Sequence, residues 1–176
     1  MIHLHDKCFE PFISSKEIEF AIANMAKQMD DDFFEEVPVF VGVMNGSFMV
    51  MSDLMKQYRG MCEVSFVKMA SYEGTQSNNQ PKQLIGLNQD LDGRTVVIVE
   101  DIVDTGNTIE ELKSIFKQMN VKHLKIATLF FKPDVYKKDI KLDYVGIRIP
   151  DKFIVGYGLD YDGLGRNLPD VYQLVQ

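Results

Sequence analysis

Two runs of almost purely apolar, mostly β-branched residues constrain this chain more than anything else in it. Residues 37–44 read VPVFVGVM and residues 95–99 read TVVIV. A strand with one wet face alternates polar and apolar residues and one buried on both faces does not, so these runs predict central strands covered from two sides. Each ends in a glycine turn, Asn45-Gly46-Ser47 in one case and Asp104-Thr105-Gly106-Asn107-Thr108 in the other, followed by a segment with helical character. Strand, turn and helix in repeated order predict an α/β fold with a mostly parallel central sheet flanked by helices. Ligands of such sheets bind at the carboxyl ends of the strands, where Asn45, Asp101 and Lys132 are expected to gather.

The second turn is chemically the richer one. Glu100 and Asp101 close the apolar run, and DTGNT then opens a helix. A helix start presents unpaired N–H groups and a partial positive charge, which hold a phosphate without a lysine. Asp and Thr are also common helix N-caps, so capping and anion binding both fit these residues. The Asn45-Gly46 turn is open in the same way, as a plain turn or as a donor of N–H groups.

Elsewhere, Ser14-Ser15-Lys16-Glu17 fits a capping box, and Ile18, Ile22, Met25 and Met29 follow at helical spacing, predicting a helix over 15–31. Residues 62–70 predict a strand. Residues 71–82, SYEGTQSNNQPK, carry neither periodicity, as in a functional lid or a disordered connection. A returning strand over 83–87, a helix running to Asn120, and strands over 121–131 and 142–149 follow, the last two stopped by Pro133 and Pro150. The tail from Asp151, rich in Gly, Asp and aromatics, predicts a small lobe. One domain accommodates the 176 residues.

Nineteen basic against 26 acidic residues give a net charge of -7, which argues against non-specific nucleic-acid binding. No apolar run approaches membrane-spanning length, and residues 1–10 lack the pattern of a secretory signal, so a cytoplasmic protein is expected. Cys8 and Cys62 are too few for a disulfide framework or a metal cluster, and His3 and His5 form at most a weak metal pair.

The stretch VVIVEDIVDTGNT resembles the phosphoribosyl pyrophosphate motif of the type I phosphoribosyltransferases, two acids followed by a D-T-G-x-T loop. VMNGSF, the Ser71-Tyr72 pair, Lys132 and IPDKFIVGYGLDYDGLGR are similar, in that order, to the hypoxanthine phosphoribosyltransferase branch, so the resemblance spans about the whole chain. The glycine loops of kinases and dinucleotide enzymes do not match, since neither GxxxxGK nor GxGxxG occurs.

The resemblance implies a type I phosphoribosyltransferase fold, with a hood from about 1–13 and 151–176 and a flexible lid over about 71–83. It implies a cytoplasmic purine-salvage enzyme, usually a homodimer or homotetramer. Such an enzyme moves ribose 5-phosphate from phosphoribosyl pyrophosphate to hypoxanthine, with guanine and xanthine unranked beside it, giving IMP, GMP or XMP and pyrophosphate. Asp104, Thr105, Gly106, Asn107 and Thr108 would hold the 5-phosphate, and Glu100 and Asp101 the ribose hydroxyls. Both acids reach a ligand only if the strand ends at them, because successive strand residues point to opposite faces. Asn45, Gly46 and Arg166 would contact pyrophosphate, with a non-proline cis peptide at the Asn45 loop. The pattern departs at Asn45, where some relatives carry lysine, so backbone amides take a larger share there.

Mg²⁺ is the implied cofactor, with Glu100, Asp101 and Asp160 as its acids. For the base, Lys132 would donate to the six-oxo oxygen, Phe153 would stack, the Ile154 backbone would read the ring edge, and Asp160 would border the same subsite. Asp104 matches the candidate general base. Ser71 and Tyr72 belong to the lid that would exclude water. Read without the resemblance, Lys132 is a solvated strand end, Phe153 a core residue, Asp160 a solvated tail acid and Arg166 half of a surface ion pair. A second class, a regulatory protein that keeps this fold to sense phosphoribosyl pyrophosphate or a nucleotide, would need neither Asp104 nor Lys132 and would show a basic face if it bound RNA.

Overall fold

A computed structural model describes residues 1–69, 84–87 and 89–175. The central sheet has the strand order β5-β4-β3-β6-β7-β8. Its members are β3 (Val39–Val43), β4 (Glu63–Met69), β5 (Leu84–Ile85), β6 (Thr95–Val103), β7 (His123–Phe131) and β8 (Tyr144–Arg148). The pairs β4–β3, β3–β6, β6–β7 and β7–β8 are parallel, and only the two-residue β5 runs antiparallel, at the edge.

The apolar runs are central for the reason the sequence suggests. In β6, Val97 and Val99 pack with α1 (Ser15–Asp32) and α2 (Phe48–Gln57), while Val96 and Ile98 pack with α3 (Asn107–Lys117). Alternate residues thus enter two cores, and neither face can be polar. Helix α1 begins at the expected capping box: Ser14 Oγ accepts from Glu17 N–H, and Glu17 Oε2 accepts from Ser14 N–H at 2.9 Å. Its Ile18, Ile22, Met25 and Met29 are buried, as their spacing requires.

β6 departs from expectation by running on through the two acids to Val103. Register with β7 holds across this stretch, Glu100 facing Thr128 and Ile102 facing Phe130. The acids therefore sit inside a paired strand rather than at its end. Both nevertheless line the cleft described below, so the expectation that the strand must end at them for both to reach a ligand does not hold.

A second sheet, β1-β2-β10-β9, is antiparallel and drawn from the two ends of the chain: β1 (Ile2–Leu4), β2 (Lys7–Ile13), β9 (Ile154–Val155) and β10 (Val171–Leu174). Ile13, Ile154, Tyr157 and Val171 bury into the same core as α1 and α2, which fixes this sheet over the carboxyl ends of the parallel strands. Tyr157 donates from its hydroxyl to Asp53 on α2. The proposed lid residues Ser71 and Tyr72 lie outside the described residues.

Candidate active site

A cleft of about 520 Å³ opens at the carboxyl ends of β3, β4 and β6, within the range of small-ligand sites. Its walls bring together Asn45, Gly46, Glu100, Asp101, the whole 104–108 loop, Asp160 and Arg166. Lys132, Phe153 and Ile154 do not line it. Lys132 adjoins the cleft through its bond to Asp104, and Phe153 and Ile154 stand at the start of β9.

The start of α3 removes one of the two readings of DTGNT, that of side-chain N-caps. Its N-cap is Gly106, at φ 86°, and no side chain caps the helix. Asp104 and Thr105 are therefore not N-caps, and the residues of the first turn of α3 line the cleft. A residue with a Cβ would be strained at that φ and would also meet the Tyr136 ring at 2.5 Å. At the other glycine turn the Met44–Asn45 peptide is cis. A Cβ on Gly46 would lie 1.5 Å from Asp101 Oδ2, so only glycine lets this loop approach β6 so closely.

Glu100 is 6% exposed, and burial pushes its carboxyl well above the usual range, with the Asp101 charge adding to the effect. Burial also raises Asp101, against the opposing pull of the Ile102 N–H, which donates to Asp101 Oδ1 at 2.9 Å. Asp160 and Arg166 pair at 2.6 Å, Asp160 Oδ2 accepts from Gly163 N–H at 2.7 Å, and Arg166 Nη1 donates to the Gly158 carbonyl at 2.6 Å. The ion pair expected of a bland tail thus exists, but it stands in the cleft wall. Among the described residues no three of His, Cys, Asp and Glu are grouped to hold a metal, so Glu100, Asp101 and Asp160 do not form a ready-made cage.

Lys132 is not a solvated strand end. It is 7% exposed, and its Nζ donates to Asp151 Oδ1 at 3.0 Å and to Asp104 Oδ2 at 3.3 Å. Phe153 is not core: it is 48% exposed and stands edge-on to Tyr161, ring centroids 5.9 Å apart. Ile154 is buried beside it. Three residues that the sequence reading missed belong to this site. Lys68 and Glu111 line the cleft, and Asp151 holds Lys132. Asp151 stands 19 positions after Lys132, and the two meet because β7 and β8 are parallel neighbours, a placement no local motif announces.

An uncapped helix start facing an acid pair, at the strand ends of a parallel sheet with a hood built from both chain ends, defines the type I phosphoribosyltransferase fold. The phosphoribosyl transferase domain matches residues 13–162. A hypoxanthine-guanine phosphoribosyltransferase of Streptococcus pyogenes is 40% identical over 159 residues, 90% of this chain and 88% of the relative. Its Bacillus subtilis counterpart is 37% identical over 158 residues, covering 89% and 88%. The crystal structure of a hypoxanthine phosphoribosyltransferase from Staphylococcus aureus superimposes with a TM-score of 0.87 at 35% identity, covering 97% of this chain and 94% of that one. The chain belongs to the phosphoribosyltransferase family, and it is a transferase.

Proposed function

We propose that the chain is a purine-salvage enzyme that transfers ribose 5-phosphate from phosphoribosyl pyrophosphate to hypoxanthine, with guanine and xanthine as further six-oxopurine substrates. The observation that carries this reading is Lys132, held between Asp104 at the edge of the cleft and Asp151, two residues before the exposed Phe153. An ammonium there favours a carbonyl at the purine six-position and disfavours an amine, so adenine is a poor substrate. Phe153 offers the ring a stacking face.

In this mechanism the N–H groups and hydroxyls of 105–108 anchor the 5-phosphate. Glu100 and Asp101 take the ribose hydroxyls. Asn45 and Gly46 offer backbone N–H groups to the pyrophosphate, and Arg166 offers its guanidinium. Asp104 accepts the proton that the purine nitrogen loses as the glycosidic bond forms. Mg²⁺ fits the chemistry of this cleft. Among the described residues five acids line it (Glu100, Asp101, Asp104, Glu111, Asp160) against two cations (Lys68, Arg166), an excess that would repel a polyphosphate unless a divalent ion bridged the two. Glu100, Asp101 and Asp160 would hold the ion jointly with substrate phosphates, and when bound it neutralises charge on the leaving pyrophosphate.

Work on free bases and a phosphorylated sugar suits a cytoplasmic enzyme, and no helix among the described residues is long and apolar enough to cross a membrane. The family habit of forming homodimers or homotetramers extends to this chain. The test is direct. The protein is mixed with Mg²⁺, phosphoribosyl pyrophosphate and each base, and nucleotide formation is followed. Product is expected with at least one six-oxopurine and little with adenine, and no product from hypoxanthine, guanine or xanthine overturns the reading.

A further inference from the structure

We infer that Asp151 is a positioning residue for the transfer reaction, the carboxylate that holds the Lys132 ammonium at the base edge and keeps it from collapsing onto Asp104. The inference rests on the roles given above to Lys132 and Asp104.

The Lys132 ammonium has three donors and is nearly cut off from solvent. Among the described residues two donors are in use, one at 3.0 Å from Asp151 Oδ1 and the other at 3.3 Å from Asp104 Oδ2. The third is left for an acceptor on the incoming ring. The backbone of both partners is fixed. Lys132 N–H donates to the Val103 carbonyl at 3.0 Å, and Lys152 N–H donates to the Pro150 carbonyl at 2.8 Å, closing the turn that carries Asp151. Asp151 thus approaches from the β8–β9 connection and Asp104 from the loop after β6, so the ammonium is drawn in two directions.

Those two pulls have different consequences for the chemistry. A carboxylate already engaged by a cation is less available to another proton donor. With Asp151 present, the ammonium is the nearer to Asp151, and it reaches Asp104 Oδ2 only at the longer 3.3 Å. Without that charge, a cation this buried has Asp104 as its one remaining carboxylate among its observed partners, and it moves there. Two losses follow together: the donor leaves the place where the six-oxo oxygen would meet it, and the acceptor for the purine proton is neutralised. Asp151 itself does neither job, and its 59% side-chain exposure marks it as a residue at the rim.

The test compares Asp151→Asn and Asp151→Glu with the parent enzyme, all assayed with Mg²⁺, phosphoribosyl pyrophosphate and hypoxanthine. Asp151→Asn is expected to raise the KM for hypoxanthine about tenfold and to lower kcat about tenfold, since a charge-assisted bond is worth about that factor or more. The KM for phosphoribosyl pyrophosphate should stay within about twofold, and Asp151→Glu should restore most of the loss. In a Lys132→Gln background the Asp151→Asn change should cost nothing further. IMP binding measured by calorimetry should weaken in Asp151→Asn while pyrophosphate binding holds. Base kinetics equal to the parent, an equal loss for both substrates, or additive losses in the double variant would each overturn the inference. A parent enzyme inactive with every base would instead fell the proposed function, so the two failures are distinguishable.

Discussion

The two ends of this site are built from different materials. The end proposed to hold the phosphates is largely backbone: a left-handed Gly106, an α3 start without a side-chain cap, and the close Gly46 turn. The end proposed to hold the base is side chains brought from separate elements: Lys132 after β7, Asp151 after β8, and Phe153 just before β9. Backbone donors need only one short stretch in one conformation, so a local sequence signature specifies them. A side-chain cluster needs the sheet order to be right first. The difference also separates failure modes: damage at the phosphate end should appear in the sugar-phosphate donor, and damage at the base end in the purine.

The largest effect should come from the residue that belongs to both ends. Asp104 lines the cleft and accepts from Lys132. Asp104→Asn keeps the shape and removes the proton acceptor, so kcat should fall about 10²- to 10⁴-fold, with the KM for phosphoribosyl pyrophosphate changed far less. Steady-state kinetics with each substrate varied checks this, and unchanged turnover would remove Asp104 from the chemistry. Next in size is Gly106→Val. A β-branched residue at φ 86° costs about 1–3 kcal/mol, and its Cβ collides with Tyr136. Phosphoribosyl pyrophosphate affinity should drop by one to two orders of magnitude, and IMP affinity with it, since both carry the 5-phosphate. Comparing pyrophosphate and ribose 5-phosphate binding by calorimetry isolates the loss, and a purine-only defect would break the comparison.

Lys132→Gln tests the other end. Losing a charge-assisted bond costs about 1.5–3 kcal/mol, so the KM for hypoxanthine should rise by at least about tenfold and the preference over adenine should narrow. A donor-side defect of equal size would mean that the two ends are not separate. Phe153→Leu should do less. The ring is half exposed and leans on Tyr161 and Phe9, so its removal should leave folding nearly intact. Stacking is worth about 1–3 kcal/mol per base, which a fluorescence titration with IMP against phosphoribosyl pyrophosphate would resolve.

The same contrast explains what was legible in the sequence. Continuous apolar runs predicted the central strands because burial on both faces leaves no room for alternation, and Val96 to Val99 divide between two cores as that logic requires. DTGNT was legible as a helix start but not as cap or cradle, since both use the same residues. The glycine at the N-cap position removes the capping reading, and only the backbone angle reports that. The extension of β6 through Glu100 and Asp101 was hidden because buried charged residues are rare, and a pair of acids reads as an exit from a strand. Asp151 was illegible for a topological reason, because its proximity to Lys132 exists only once β7 and β8 are neighbours.

The smallest effect should come from a contact that serves neither end directly. Tyr157 donates its hydroxyl to Asp53, which also pairs with Lys56 at 2.7 Å, tying the hood sheet to α2. Burial tends to raise the Asp53 carboxyl, but the Lys56 and Tyr157 bonds outweigh it and hold it below the usual range. A carboxylate depressed in the folded state binds protons less readily than in the unfolded chain, so its contribution is present near neutral pH and fades as pH falls through about 4 and below. Tyr157→Phe removes one of the two bonds, so it should cost about 1 kcal/mol of unfolding free energy at pH 7 and progressively less toward pH 3. Urea unfolding of both proteins across that range measures the gap. Both KM values should stay within about twofold, because the bond lies outside the cleft and away from Lys132. A gap that widened on acidification would reverse the assigned protonation, and a KM change confined to one substrate would show that the hood tie belongs to that end of the site after all.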